Sequence, residues 1–368
     1  MIICRVLADD DDWDRVRDHW ERLAELTPSI TPWQSWDLLS RWWHTQRGSR
    51  QLRIVVVETD GVVRLLLPLQ LSLVAPLRLR VLEPLGMSEE INRPRLALGM
   101  PDGELLTAAL RLLWQRRHEW DALRIDEKIA GDPEVAVLRE FARDTKSWLQ
   151  AVPFHPCPYL QLNTPWEAYL RSRSPRLQKN LRAARRCLEA RGTVTAERLD
   201  HADDVMRALD ILIDLHGRSW KHADSVGLSQ SNSYRAFYRD FVEVMSQRKQ
   251  ARAWVLKCDG RPIAATLAFH QDMTYYSAQI AHDEEFSKCS PGTLLEAIEL
   301  EDLLVENRFR TYDFLGGALN NKLRWTSTSH PTERLWFVRK SLRGIGFHTA
   351  YFVAKPLLKR WRARSATA

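Results

Sequence analysis

The chain lacks the signatures of several large classes of protein. None of its uncharged apolar runs reaches the ~20 residues that a membrane-spanning helix needs, and its most apolar stretch, residues 64–79, is interrupted by Pro68 and Pro76. The GxSxG pattern of serine hydrolases, the GxxxxGKS/T pattern of P-loop proteins and the HExxH pattern of zinc proteases are also missing. We therefore interpret residues 64–79 as strands and expect none of those three chemistries.

Cysteine is sparse and scattered. The cysteines are Cys4, Cys157, Cys187, Cys258 and Cys289, and no two of them lie at CxxC spacing or beside a histidine pair. An odd, dispersed set predicts neither a disulfide framework nor a structural zinc site, and we expect no metal. This pattern fits a reducing cytoplasm best. Cys289 is interpreted as a core-filling side chain.

The bulk composition is that of a soluble globular protein with a basic surface. Hydrophobic residues make up 45% and charged residues 27% of the 368 residues, a length that predicts two domains or half-domains. The net charge of +7 and the isoelectric point near 9.2 favour anionic partners. A phosphorylated cofactor, a membrane surface and nucleic acid all fit that charge.

One order of elements occurs twice along the chain. Each half has two apolar runs joined at an Asp-Gly pair, which is a strong hairpin signal, and then a helix and a short strand. In sequence order these are 52–58, 62–73, 103–118 and 120–126 in the first half, and 251–257, 261–270, 292–307 and 310–314 in the second. The repeat predicts two copies of one α/β unit, the alternative being a coincidence of two common hairpins.

The second copy has the better anion site. Its helix opens behind Lys288, Ser290, Gly292 and Thr293, so a cation, hydroxyls and free backbone N–H groups meet at the positive end of the helix dipole. The corresponding helix of the first copy opens behind Asp102, with no Ser or Thr beside it. We therefore expect the second copy to hold a pyrophosphate and the first to be a degenerate partner.

Two further segments are basic and amphipathic. Residues 166–191 place Leu177, Leu181, Ala184 and Leu188 at helical spacing opposite a cationic face. That face suits solvent, an anionic membrane or substrate, or, with less support, nucleic acid. The tail, residues 342–364, mixes aromatic side chains with cations, which is typical both of an interfacial membrane helix and of a helix docked on its own core.

The motifs of the second half resemble those of a known family. Residues 281–292 contain Ser-Pro-Gly at the helix start, residues 312–317 read Tyr-Asp-Phe-Leu-Gly-Gly, and residues 322–325 read Lys-Leu-Arg-Trp. Together with residues 215–220 and the basic helix, they are similar to the GNAT-like acyltransferases of the CelD/BcsL type, a group related to the Fem peptidyltransferases. The tyrosine that usually precedes the lysine is Asn321 here.

The resemblance implies an α/β fold of tandem GNAT-like units, each a mixed sheet flanked by helices. The implied boundaries are a degenerate domain at 1–160, an acyltransferase domain at 161–341 and a basic tail at 342–368. It also implies a cytoplasmic enzyme, possible peripheral binding to the inner membrane, and transfer of an acyl group from acyl-CoA to an amine. The acceptor would be a lipid or exopolysaccharide precursor of the cell envelope, and nucleic acid would not be a partner.

Site residues follow from this implied reaction. Ser290, Gly292 and Thr293 would bind the pyrophosphate with help from Lys288, and the strand at 273–281 would lie along the pantetheine. The candidate bases are His216, His282 and Asp283, Tyr275 or Tyr276 would protonate the leaving thiolate, and Asp313 would orient the amine. Trp220, Lys322 and Trp325 are assigned to substrate binding.

Each assignment has a structural alternative. Asp283 and Asp313 can shape turns, both histidines and Trp220 can be packed, and Lys322 with Trp325 can hold the last hairpin together. Two other functions keep the fold. One is a Fem-like peptidyltransferase that uses aminoacyl-tRNA, although the long coiled-coil arm of many such enzymes is missing. The other is a non-catalytic envelope-assembly protein.

Overall fold

The computed structural model describes residues 1–87, 92–100, 102–218, 228, 232–317 and 319–358. The chain divides into two compact units, the first formed by residues 1–154 and 331–368 and the second by residues 155–330. Each unit contains a mixed seven-stranded sheet flanked by helices. The predicted α/β class is confirmed.

In chain order, six strands belong to the first unit, the next seven belong to the second, and the last strand returns to the first. They are β1 (Ile2–Leu7), β2 (Gln51–Thr59), β3 (Val62–Val74), β4 (Leu79–Pro84), β5 (Ala122–Ile129), β6 (Trp148–Pro153), β7 (Cys157–Gln161), β8 (Val194–Leu199), β9 (Ala251–Cys258), β10 (Arg261–Gln271), β11 (Thr274–His282), β12 (Thr311–Asp313), β13 (Ser329–His330) and β14 (Thr332–Val338).

Helices lie between these strands. The described α-helices are α1 (Asp10–Arg15), α2 (Arg17–Leu26), α3 (Trp36–Gln46), α4 (Gly103–Gln115), α5 (Pro133–Asp144), α6 (Trp166–Ser172), α7 (Pro175–Glu189), α8 (Ala202–Gly217), α9 (Asn232–Gln247), α10 (Pro291–Glu306), α11 (Asn320–Leu323) and α12 (Leu342–His348), the last continuing into a π-helical segment, Thr349–Ala354.

The predicted repeat is visible in the topology. The first sheet has the order β1-β2-β3-β4-β5-β14-β6, and the second, read from its other edge, has the order β8-β9-β10-β11-β12-β7-β13. In each sheet a hairpin leads to a third antiparallel strand, a helix follows, and the next strand pairs in parallel with the third. Both hairpins turn at Asp-Gly pairs with positive φ at each residue, as the twist of a tight hairpin requires.

The predicted domain boundaries are corrected by the strand in the sixth position of each sheet, β14 in the first and β7 in the second. Strand β14 lies between β5 and β6 of the first sheet, whereas the sequence analysis assigned residues up to 341 to the second domain. Strand β7, which we assigned to the first domain, pairs with β12 of the second sheet. Because a sheet is completed by strands that are distant in sequence, a division into consecutive segments could not be right.

The core of the first unit lies on both faces of its sheet. Helices α4 and α5 cover one face through a cluster that includes Leu110, Leu138 and Phe141. The segment that begins at α12 packs its aromatic side chains against Trp336 on β14. The tail is therefore docked on its own core over residues 342–358, one of the two predicted alternatives.

The second unit also packs helices on both faces of its sheet. Helices α6, α7 and α10 cover the face of Ala268 and Tyr275. On the opposite face, Phe269 stacks on Phe241 of α9 with ring centroids 3.9 Å apart. The predicted basic helix is interrupted at residues 173–174, where Ser174 caps α7 and Pro175 begins it. Its apolar stripe, Leu177, Leu181, Ala184 and Leu188, is buried as predicted.

The cysteine prediction is wrong for one pair. Cys187 of α7 and Cys289 form a disulfide across 102 residues of sequence, whereas Cys4, Cys157 and Cys258 are free. Spacing gave no sign of this pair, because α7 and the start of α10 come together only when both pack on the same face of the sheet. In the part of the chain that the structure describes, we find no helix of the length and apolarity needed to cross a membrane.

Candidate functional site

The parallel pairing of β11 and β12 in the second sheet ends next to the candidate site. Strand β12 pairs with Thr274, Tyr275 and Tyr276, and within the described chain this register ends there, while β11 continues to His282 alongside β10. The residues of β11 from Ser277 to Ile280 are half-buried, in contrast to the buried pair before them. This part of a central strand is therefore partly accessible to solvent.

Strand β11 also has a bulge in its pairing with β10. Ala268 pairs with Ser277, but the preceding Leu267 pairs with Gln279, so β11 has one extra residue at that point. An extra residue bends a strand and increases its twist. Beyond the bulge the Gln279 amide donates to the hydroxyl of Tyr238 on α9, at 2.9 Å.

The N-terminus of α10 lies against the far end of β11. A Cβ added to Gly292 would come 3.6 Å from the Nδ1 atom of His282 and 3.6 Å from the Ile280 side chain. Ser290, in the left-handed region at φ 50°, precedes Pro291, and its side chain makes no capping hydrogen bond to the helix. The positive end of a 16-residue helix therefore adjoins the accessible part of β11.

The predicted phosphate-binding residues are together at this helix start. Lys288 and Ser290 are exposed, Thr293 is half-buried, and Gly292 is buried under the neighbouring strand. Their proximity follows from sequence adjacency, and their role in binding an anion remains a prediction. Pro291 fixes a helical φ and removes one N–H that would need a partner.

Sequence analysis missed a second cation at the helix start. The Arg324 guanidinium, which is exposed, donates to the Thr293 hydroxyl. This contact adds positive charge at the first turn of α10, where an anion would also meet the helix dipole. The sequence signal for this cation was Lys-Leu-Arg at 322–324, in which the sequence analysis assigned a role only to Lys322.

Asp283 has a structural role that argues against its assignment as a base. Its carboxylate accepts the Glu285 N–H at 3.1 Å, one guanidinium hydrogen bond from Arg218 at 2.8 Å and another from Arg261 at 2.6 Å. Burial raises the pKa of this carboxyl, but the Glu285 N–H and the two guanidiniums outweigh burial, so that the pKa is lowered. The Asp283 carboxylate is therefore buried, ionised and hydrogen-bonded, and it caps the turn. This is the structural alternative that the sequence analysis gave for Asp283.

The two strand tyrosines face opposite sides of the sheet. Tyr275 is fully buried and donates its hydroxyl to Glu299 of α10 at 2.6 Å, and burial raises its pKa well above the ordinary value. Tyr276 faces the other side, pairs with Phe269 and Asp313, and is 5% exposed. Of the two candidate acids, Tyr276 is therefore the one that does not belong to the network around Glu299.

The turn after β12 is built by two of the predicted site residues. The Asp313 carboxylate accepts the Leu315 N–H at 2.8 Å, and Leu315 adopts φ 58°. Lys322 donates to the Gly316 carbonyl at 2.7 Å, which closes the same turn. Both contacts fit the structural alternatives given in the sequence analysis, in which Asp313 shapes a turn and Lys322 holds the last hairpin together. The roles of Asp313 in orienting an amine and of Lys322 in binding substrate remain predictions.

Trp325 requires a correction. Its indole is fully buried and donates to the Glu296 carboxylate at 3.0 Å, and its carbonyl accepts the Tyr169 hydroxyl at 2.7 Å. Trp325 is therefore held inside the core by its indole and by its backbone carbonyl. It stabilises the second unit and is not available to a substrate. Trp220 lies outside the described residues.

The two histidine candidates have different positions. His216 is fully buried on the face of α8 that packs on the sheet, in keeping with the packed alternative. His282 is half-buried at the end of β11, close to Gly292. Of the three predicted bases, His282 is therefore the one that borders both the accessible strand and the helix start.

A buried acid was also missed. Glu299 is fully buried, and burial raises its pKa to about 7, with a further contribution from Glu296 and an opposing one from the Tyr275 hydrogen bond. It was hidden in the sequence because α10 is apolar on nearly all sides and buries both glutamates with its leucines. Within the described residues, no cluster of His, Cys, Asp and Glu could hold a metal ion.

Comparison with known proteins shows which domain and which folds the chain is similar to. Residues 175–323 match the acetyltransferase (GNAT) domain family, and no curated protein matches the chain in sequence. FemX is 12% identical with a TM-score of 0.61, and the match covers 91% of this chain and 98% of that one.

Two other solved structures share the fold over similar lengths. A conserved protein from Bacteroides thetaiotaomicron is 9% identical with a TM-score of 0.55, covering 91% of this chain and 100% of that one. The C-terminal domain of a putative lysylphosphatidylglycerol synthetase from Agrobacterium fabrum is 11% identical with a TM-score of 0.54, covering 92% and 96%. At such identities the likeness establishes the fold alone.

Proposed function

We propose that this chain, whose residues 175–323 form an acetyltransferase (GNAT) domain, is an acyl-CoA-dependent N-acyltransferase. The observation that carries the proposal is that the half-buried part of β11, which follows the end of its pairing with β12 at Tyr276, leads to the uncapped N-terminus of α10 at Ile280 and His282. An accessible strand edge suits the amides of a pantetheine arm, and a helix N-terminus suits the pyrophosphate at the other end of that arm.

The donor site combines charge with backbone N–H groups. Gly292 and Thr293 would donate N–H groups of the first helical turn to the pyrophosphate, and Ser290 and Thr293 would add hydroxyls. Lys288 and Arg324 would supply the positive charge. Strand β11 from Ser277 would pair with the pantetheine and donate an N–H to the thioester oxygen as negative charge develops there.

The transfer itself needs one proton acceptor and one proton donor. The amine nitrogen attacks the thioester carbonyl, a C–N bond forms, and the C–S bond breaks. His282 is the proposed acceptor of the amine proton, because it borders the strand end and is half-buried. Tyr276 is the proposed donor to the leaving thiolate, and Asp313, one strand away, would orient the amine.

The acceptor we propose is an amine of a cell-envelope precursor, either an amino-lipid or a sugar of a lipid-linked or exported polysaccharide. The reaction would take place in the cytoplasm, on the inner face of the membrane. Support for an envelope acceptor comes from the fold shared with a putative lysylphosphatidylglycerol synthetase domain.

A second donor, aminoacyl-tRNA, is favoured by one observation. The exposed face of α7 is strongly basic, with Arg176, Lys179, Arg182, Arg185 and Arg186 in solvent, and the fold is shared with FemX. Such a face would bind RNA phosphates, and the affinity would fall steeply with salt. A Fem-like peptidyltransferase is therefore the alternative function.

Thermal unfolding with added ligand distinguishes these functions. We expect CoA and acyl-CoA to raise the melting temperature of the wild-type chain, because a ligand that binds only the folded state stabilises it. Stabilisation by tRNA alone would replace the proposal with the Fem-like function. A chain that responds to none of these ligands would be a non-catalytic protein with a GNAT fold.

Matched variants test whether the rise in melting temperature with CoA depends on the N-terminus of α10. Gly292→Ala is expected to keep the CoA response, since the added Cβ meets only ordinary van der Waals contacts. Gly292→Glu places a carboxylate in the anion site and should abolish the response. Lys288→Glu, at an exposed position, should weaken it without disturbing the core. Equal CoA affinity in all variants would contradict the proposed site.

A further inference from the structure

The C-terminal helical segment, residues 342–358, has two different faces. Its inner face is aromatic: Phe347 packs at a tilt against Trp336 with ring centroids 4.7 Å apart, and His348 stacks on Trp148 with ring centroids 4.0 Å apart. Gly344 lies so close to the Arg339 carbonyl that any side chain there would overlap it. The segment is therefore fixed against the sheet of the first unit, and its orientation determines what it shows to solvent.

The outer face is aliphatic and exposed. Leu342 is 92% exposed and Leu357 is 57% exposed, and Ile345, Val353 and Leu358 are exposed on the same segment. Leu342 and Ile345 are three residues apart in α12, a spacing at which α-helical side chains are neighbours, and Leu357 and Leu358 are adjacent in sequence. We call these five residues the C-terminal apolar surface. Isolated exposed leucines are common, but a group of this kind marks an interaction site.

The sequence that forms and follows this surface is rich in cations and contains no acids. From residue 339 to the last residue, the sequence contains Arg339, Lys340, Arg343, Lys355, Lys359, Arg360, Arg362 and Arg364 and no Asp or Glu. These eight positive charges exceed the net charge of the whole chain, +7. Lys340, Arg343 and Lys355 are exposed in the described part of the segment.

We propose that the C-terminal apolar surface, with the lysines and arginines of this sequence, docks on an anionic phospholipid bilayer. Leucines would enter the boundary between head groups and acyl chains while the cations pair with lipid phosphates. The charge complementarity selects this partner over a neutral protein surface. Docking requires no catalysis, so it goes beyond the proposed acyl transfer and does not rest on it.

Co-sedimentation of the full chain with vesicles tests the surface. We expect binding to vesicles that contain about one-third phosphatidylglycerol in low salt, weak binding to pure phosphatidylcholine, and loss of binding as salt screens the charges. Leu357→Ser/Leu358→Ser should weaken partitioning at least roughly tenfold, since each buried aliphatic side chain contributes strongly. Arg343→Glu/Lys355→Glu should weaken it roughly 25-fold or more, at roughly fivefold per cation.

Matched controls separate docking from general effects. Leu26→Ser/Val305→Ser removes two exposed aliphatic side chains elsewhere, and Arg111→Glu/Arg143→Glu makes the same charge change on exposed helix positions. Neither should reduce binding. The proposal is overturned if the wild-type chain does not bind anionic vesicles, if the controls lose binding as much as the tail variants, or if Leu357→Ser/Leu358→Ser instead abolishes self-association of the free chain. The CoA response should be the same in the tail variants as in the wild type.

Discussion

Glu299 offers a quantitative test of the packing inside the second unit. Its carboxyl is fully buried in α10, accepts the Tyr275 hydroxyl at 2.6 Å, and has a pKa of about 7 instead of the ordinary 4.5. Between about pH 4.5 and pH 7 the folded chain holds a proton that the unfolded chain has released. The free energy of unfolding therefore falls as the pH rises through this window.

The magnitude follows from the two pKa values. The difference between about 7 and 4.5 corresponds to about 3 kcal/mol of stability lost between pH 4.5 and pH 8. Glu299→Gln keeps the shape and an acceptor for the Tyr275 hydroxyl but cannot ionise. We expect the variant to be about as stable as the wild type near pH 4.5 and about 3 kcal/mol more stable at pH 8.

Urea unfolding of both proteins at a series of pH values measures this difference. Glu284→Gln, at an exposed position of the same unit, is the control and should show no pH-dependent gain. A stability difference between Glu299→Gln and the wild type that does not change from pH 4.5 to pH 8 would refute the reasoning. It would mean that Glu299 ionises as readily in the folded chain as in the unfolded chain.

Three other changes have defined outcomes. Asp283→Asn should lower the free energy of unfolding by about 2 kcal/mol at pH 7, because charged hydrogen bonds are lost. Folding lowers the pKa of Asp283, so the difference between variant and wild type should shrink below pH 4, as measured by urea unfolding. Reduction should lower the free energy of unfolding of the wild type by about 2–4 kcal/mol, measured by urea unfolding, but leave that of Cys187→Ser/Cys289→Ser unchanged. Tyr276→Phe should slow thiol release from acetyl-CoA with a primary amine by roughly tenfold or more, whereas Tyr275→Phe should chiefly reduce stability.

The elements that depend on local sequence could be predicted. Both Asp-Gly hairpins, the buried stripe of α7 and the helix that begins at Pro291 follow from turn chemistry, periodicity and proline placement. The repeat was also predictable, because the same order of elements recurs in both halves.

The features that depend on distant contacts could not be predicted. The exchange of β7 and β14 between sheets requires pairing partners far away in sequence, and the Cys187–Cys289 disulfide requires two helices to meet. The same limit applies to the site. The guanidinium partners of Asp283 and the burial of Trp325 decide their roles, and neither is encoded in the local sequence.

A crystal structure with bound acetyl-CoA tests the central claim most directly. We predict that the pyrophosphate lies within hydrogen-bond distance of the Gly292 and Thr293 N–H groups and that the pantetheine amides pair with β11 between Ser277 and Ile280. A pyrophosphate bound away from α10, or a strand edge at Ser277 that takes up no ligand at saturating acetyl-CoA, would contradict it.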